Sequence, residues 1–184
     1  VCHLGVVVEG RPLVVPTVYG RDERWLYLHG SVASRSLADG VPLCVTVTHV
    51  DALVLARSVF EHGVNYRSAV IHGEARKVTD PDEKRQGLRR LTEHATPGQW
   101  SYARQPNRRE LAATTLLALS LEQASVKIRT GDPDDGDGPD AALGLWAGTL
   151  PLTATWGTPA PAPGLPPGAE PPAHIARRKG TRHG

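Results

Sequence analysis

The stretch that decides the fold is Leu26-Tyr27-Leu28-His29-Gly30-Ser31-Val32-Ala33-Ser34-Arg35. An apolar β run ends there in Gly-Ser, and the residues after it turn helical. Ser31 is a good N-cap, Val32, Ala33 and Leu37 are the apolar positions of a short helix, and Gly40 stops it. A strand that feeds a helix N-terminus leaves backbone N–H groups and a partial positive charge at its tip. Ser31 and Ser34 add hydroxyls there, and Arg35 adds a planar bidentate cation. The set suits a phosphate monoester. It also suits a plain capped helix with Arg35 in water, and the local sequence leaves both readings open.

Strands surround this element. Upstream, Val1–Val8 and Pro12–Tyr19 are β-rich runs around a Glu9-Gly10 turn, and Trp25–His29 follows the polar turn Gly20–Glu23. Downstream, Pro42–Val50 is a continuous apolar run suited to a strand buried on both faces. Asp51-Ala52 reads as a corner before a further strand, Leu53–Phe60. Asn65–Val78 reads as one long strand with a bend at Gly73. The period then changes. Asp80-Pro81-Asp82 opens a helix that places Leu88 and Leu91 on one face, Pro97-Gly98 breaks it, and Asn107 caps a second helix over 108–113. Thr114–Arg129 returns to strand. The sum is mainly β (α+β), a small β-barrel of about six antiparallel strands with short peripheral helices.

Composition narrows the function classes. The chain has 184 residues, 40% hydrophobic and 22% charged, which excludes a wholly disordered or collagen-like protein. No apolar run approaches the roughly 20 residues that span a bilayer, no leader pattern opens the chain, and the expectation is a cytoplasmic protein without membrane contact. The sequence has no Met and starts at Val1, so a segment ahead of Val1 or a non-AUG start is expected. Two cysteines, Cys2 and Cys44, match no zinc spacing, no H-E-x-x-H occurs, and no metal site is expected. The loop 131–140 holds five Asp without the EF-hand ligand order, and reads as an exposed acidic loop.

Residues 157–184 contain seven of the 16 prolines, and four Lys/Arg against one acid. They read as a disordered basic tail behind a domain of residues 1–156. That body carries 17 Lys/Arg against 18 Asp/Glu, which argues against a nucleic-acid-binding body. The tail cluster Arg177, Arg178, Lys179 and Arg182 suits either an anionic partner such as nucleic acid or plain solvation.

A second polar cluster, Tyr66-Arg67-Ser68, starts the long strand. An aromatic face beside an Arg suits a planar, anionic or electron-poor ring. An exposed strand edge with Arg67 paired to a nearby acid is the other reading.

The ordered set Cys2-His3-Leu4-Gly5, Gly10-Arg11-Pro12, Val15-Pro16-Thr17-Val18-Tyr19, Leu26-Tyr27-Leu28-His29-Gly30-Ser31, Ser34-Arg35, Val45-Thr46-Val47 and Asn65-Tyr66-Arg67-Ser68-Ala69-Val70 resembles the pyridoxamine 5′-phosphate oxidase superfamily. The likeness is greatest to its nitroimidazole-resistance-like, flavin-nucleotide-binding branch, and it covers about residues 2–152. The resemblance implies a homodimeric split barrel with FMN sites at the dimer interface. It assigns Ser34 and Arg35, within Leu28–Arg35, to the FMN phosphate and ribityl chain, together with Leu28, His29, Gly30 and Ser31. Pro16, Thr17 and Tyr19 match the strand along the isoalloxazine, and Tyr66, Arg67 and Ser68 match a motif close to the cofactor. Trp146 corresponds to a residue that reaches the partner subunit's flavin, and His29 to an active-site His.

Two departures bear on activity. Ser36 stands where true pyridoxamine phosphate oxidases carry Lys after Ser-Arg, and their Arg-x-His pattern is not evident in 148–156. The resemblance therefore implies an FMN-dependent oxidoreductase acting on a small electron-poor substrate rather than on vitamin B6. His29 would deliver a proton to the reduced product, or only hydrogen-bond the flavin. The alternative is a non-catalytic split-barrel module for flavin, deazaflavin or haem, with His29 or His62 as the haem ligand.

Overall fold

Glu9 and Gly10 both have positive φ, 52° and 74°. That is the backbone of a two-residue hairpin turn whose twist matches its strands. It joins β1 (Cys2–Val8) to β2 (Arg11–Thr17), with Val8 opposite Arg11. The computed structural model describes residues 1–31 and 39–183. The short helix expected after Ser31 lies outside them.

The chain continues through β3 (Tyr19–Arg21), β4 (Trp25–Ser31), β5 (Pro42–Leu55), β6 (Gly63–Glu74) and β7 (Arg76–Lys77). Three helices follow: α1 (Pro81–Ala95), α2 (Gln99–Tyr102) and α3 (Arg108–Ala113). Then come β8 (Thr114–Ser120), β9 (Ala124–Arg129), β10 (Gly148–Pro151) and a last helical turn, α4 (Ala173–Ala176). One sheet has the order β2-β1-β5-β6-β9 with β10 on β5, and the other has the order β3-β4-β8-β7. The pairs β1–β2, β1–β5, β5–β10, β3–β4, β4–β8 and β7–β8 are all antiparallel. The mainly antiparallel class read from the sequence holds, with more strands than the six expected.

Two expectations about strand ends change. Asp51-Ala52 is no corner, because β5 runs through it: the Asp51 carbonyl accepts the Leu152 N–H at 2.9 Å and Ala52 pairs with Pro151. The long run to Val78 divides at Ala75, whose carbonyl accepts the Gly40 N–H at 3.1 Å. Beyond it, the Asp39 carboxylate takes the Lys77 N–H at 2.6 Å, and β7 pairs with β8 in the other sheet.

The chain divides into two compact units, Val1–Val47 with Ala69–Ser125, and Thr48–Ser68 with Val126–Gly184. The core of the first has two layers. Cys2, Leu4, Val6, Leu26, Leu28, Leu43, Val45, Ile71, Leu117 and Leu119 form one cluster. Tyr27, Val78, Leu91, Leu116 and Ala118 form the second. Successive residues of a strand face opposite ways, so β4 and β8 are buried on both faces. Each fully buried Leu contributes about 1.5–3 kcal/mol by area.

Helix α1 closes the second layer. Asp80 caps it by accepting the Glu83 N–H at 2.7 Å, with Pro81 in the first turn, as the sequence indicates. Gly20 lets it seat on β3: a Cβ there would stand 2.3 Å from the Leu91 nitrogen. Asn107 and Glu110 form a full capping box on α3.

The second unit is held by polar contacts. Arg57 donates its backbone N–H and, at 2.7 Å, its guanidinium to Asp135, which is buried. The acidic loop is therefore exposed at Asp132, Asp134 and Asp137 but half-buried at Asp140 and buried at Asp135, a correction that follows from a partner 78 positions away. Composition gave 157–184 no packed core, yet the described part returns onto Ala154–Trp156. Thr155 bridges Arg182, the Trp156 N–H donates to Thr181 at 3.1 Å, and the His183 N–H donates to Ala154 at 2.8 Å.

Candidate functional site

Pro16 and Thr17 close β2, an edge strand, which is where a residue without an N–H is tolerated. They stand opposite His3 and Cys2. Tyr19 pairs with Leu28, and its ring lies 4.3 Å from that of His94 on α1, tilted by 46°. Burial pushes the Tyr19 hydroxyl up, with the Cys2 thiol adding to this and Arg21 opposing it. Burial pulls His94 down, helped by the N-terminal amine and Arg21, which favours its neutral form. His94 was not among the residues picked from the sequence. Its partner is distant along the chain, and no local pattern marks the pair.

On β4 the Leu28 side chain is fully buried in the core, so it supplies a wall. His29 is exposed, shares the face of Trp25 and Tyr27, and pairs with Leu116. Gly30 is half-buried and pairs with Thr115. The Ser31 side chain, Ser34 and Arg35 lie outside the described residues.

The turn at the other end of β4 is built on Asp22. Its carboxylate accepts the N–H groups of Arg24 and Trp25 at 2.9 and 2.8 Å and the Tyr27 hydroxyl at 3.2 Å. Burial alone would raise Asp22, but these donors and Arg90 outweigh it and hold the carboxyl low. The same contact works in reverse on Tyr27, which burial and Asp22 push up to about 12. A cleft of about 630 Å³ lies between this turn and α1, with Arg21, Arg24, Trp25, Arg90 and His94 on its walls.

Tyr66, Arg67, Ser68 and Trp146 belong to the second unit. Tyr66 and Ser68 are half-buried. Arg67 is exposed and forks onto Asp51 at 3.1 and 2.9 Å, the edge-pairing alternative of the sequence reading. These bonds hold Asp51 below the usual carboxylate range. Asn65, beside them, is buried. Its amide donates to the Gly131 carbonyl at 2.9 Å, while its Oδ1 has no partner among the described residues. A buried unsatisfied acceptor calls for a ligand donor or a water. Trp146 is 69% exposed.

His62 has a defined ring position. Its Nδ1 accepts the Ala56 N–H at 3.3 Å in one tautomer and lies 3.0 Å from the Ser58 carbonyl, to which it donates in the other. Just before it, Val59 and Phe60 are 86% and 88% exposed.

Against known proteins, the family profile described as pyridoxamine 5′-phosphate oxidase matches residues 1–128. The chain belongs to this family. Among solved structures, the FAD and haem binding protein from Mycobacterium smegmatis is 39% identical with a TM-score of 0.90, over 97% of this chain and 89% of that one. The flavocytochrome Anf3 from Azotobacter vinelandii is 34% identical with a TM-score of 0.88, over 97% and 84%. A proposed 5-nitroimidazole antibiotic resistance protein from Bacteroides thetaiotaomicron, 21% identical over 68% of this chain and 74% of its own, shares the fold at a TM-score of 0.57. No curated protein matches. Membership fits the split-barrel class, which the two sheets bear out. Among the described residues, no three His, Cys, Asp or Glu side chains gather as metal ligands, and no helix is long and apolar enough to cross a membrane.

Proposed function

We propose that this family member is a flavocytochrome-like oxidoreductase that binds FAD and haem and passes electrons to a small electron-poor acceptor. The observation that carries the reading is the near full-length likeness to the FAD and haem binding protein of M. smegmatis. FAD takes the place of the FMN expected from the sequence, and the two share the flavin ring and first phosphate.

The residues fit a flavin. Thr17, at the end of β2, and Tyr19, at the start of β3, offer a hydroxyl and a ring face. Ser34 and Arg35 are the candidates for the phosphate. When bound, the flavin supplies two-electron chemistry and the haem one-electron chemistry. Exposed His29 is placed to hold and deliver a proton.

The residues also fit a haem. His62 is exposed, and its ring is positioned by backbone groups of Ala56 and Ser58 at Nδ1, the kind of anchoring that orients a metal-ligating His. The exposed Val59 and Phe60 are apolar surface that a porphyrin would cover. His62 is therefore preferred over His29 as the iron ligand.

A homodimer is the proposed working form. Val7, Leu13 and Val14 are exposed on the β1–β2 hairpin, where an apolar cleft of about 370 Å³ also reaches Leu43. A second copy would cover this surface.

The test is titration of the cofactor-free protein with FAD, FMN and hemin in separate experiments. Saturable FAD binding tighter than FMN, with a Soret shift that His62→Ala removes, supports the reading. Failure of both flavins to bind overturns it. Flavin binding without hemin binding overturns the haem half alone.

A further inference from the structure

The C-terminal tail has no apolar core to order it, so its return to a fixed place must be supported by specific contacts. Trp156 supplies them. The Arg178 guanidinium lies 4.3 Å over its ring, and the His183 ring lies 4.9 Å away, tilted by 33°. The Trp156 carbonyl accepts the Gly180 N–H at 2.9 Å, and the Thr181 N–H and Oγ1 both donate to the Arg178 carbonyl. Arg182, between Thr181 and His183, is thereby fixed on both sides.

The result is a cleft of about 240 Å³ within the second unit, lined by His49, Asp51, Arg67, Thr153, Arg182 and His183. Among the described residues Asp51 is its one carboxylate, and both of its oxygens are taken by Arg67. The Arg182 guanidinium has no hydrogen bond or ion pair with any described residue. Among the described residues the cleft thus holds a guanidinium without a counter-charge, two imidazoles and a hydroxyl, all of which can donate to an anion.

We propose that the C-terminal tail folds back to complete an oxyanion-binding cleft, which takes a phosphate or carboxylate group between Arg182, His183 and His49. The volume is below that of a site for a drug-sized ligand, so the cleft holds an anionic group and not a whole flavin or haem. The group is either a free ion or the acidic end of a larger ligand. The inference stands independently of the flavin reading.

The test uses the full chain free of cofactor, titrated separately with inorganic phosphate and with succinate, followed by NMR of the Trp156 indole N–H and the His183 ring. Saturable shifts with either probe, weakened about tenfold or more in Arg182→Gln and restored in Arg182→Lys, support the cleft. The probe that binds tells phosphate from carboxylate. If neither free ion binds but Arg182→Gln weakens FAD or hemin, the group is an acidic end of that cofactor, and the cleft again stands. Binding that Arg182→Gln leaves unchanged overturns the proposal. So does the absence of any Arg182 effect on the ions and on both cofactors. Arg177→Gln, outside the cleft, is the control expected to change nothing.

Discussion

Gly20→Ala is a small change with a large expected cost. The added Cβ would lie 2.3 Å from the Leu91 nitrogen and 2.5 Å from the Arg90 carbonyl carbon, about an ångström inside the 3.4 Å at which ordinary contact begins. Both atoms are helix backbone, so no side-chain rotation relieves the clash and α1 must lift off β3. Overpacking of this kind costs about 1–3 kcal/mol, and a backbone obstacle puts it at the upper end. At about 2–4 °C per kcal/mol for a chain of this size, the melting temperature falls by about 5–12 °C. Differential scanning calorimetry reads the shift directly. Because α1 carries His94 onto Tyr19, flavin affinity should fall in the same variant. A melting temperature within about 2 °C of the parent would refute the reasoning, since it would mean that β3 and α1 do not meet as closely as described.

Other perturbations have distinct signatures. Asp135→Ala strands the partly buried Arg57 and should cost about 2–4 kcal/mol in urea unfolding, short of the full penalty for a wholly buried pair. In the fold Tyr27 titrates at about 12, above its ordinary 10, so its protonated form is favoured. Its contribution is complete below pH 10 and is lost as the pH climbs toward 12; Tyr27→Phe should flatten that alkaline limb of a stability profile. Asp22 is shifted the other way, so its contribution is present above about pH 4 and is lost as the pH falls through its depressed value. Asp22→Asn should flatten the acid limb. Arg35→Ala should weaken flavin binding by about 1.5–3 kcal/mol, read by fluorescence titration; unchanged affinity would remove Arg35 from the phosphate site.

What was legible in the sequence was local. The Glu9-Gly10 turn, the Asp80 cap and the Asn107 capping box each need only a few neighbouring residues, and each stands where the pattern puts it. What was not legible depends on partners far along the chain. Asp51-Ala52 looks like a corner until β10 arrives to pair with it. Asp135 looks solvated until Arg57 reaches it. Tyr19 was marked as a site residue by its family pattern, but its contact with His94 exists only once α1 is laid on β3. The basic tail read as solvated because its anchor, Trp156, holds it through the Arg178 guanidinium and the His183 ring rather than through apolar burial.

The most direct test of the central claim is the absorbance spectrum of the freshly purified protein, with the released cofactors identified after denaturation. The account predicts flavin bands together with a Soret band, and FAD as the flavin released. A colourless protein that takes up neither FAD nor FMN on reconstitution would contradict it.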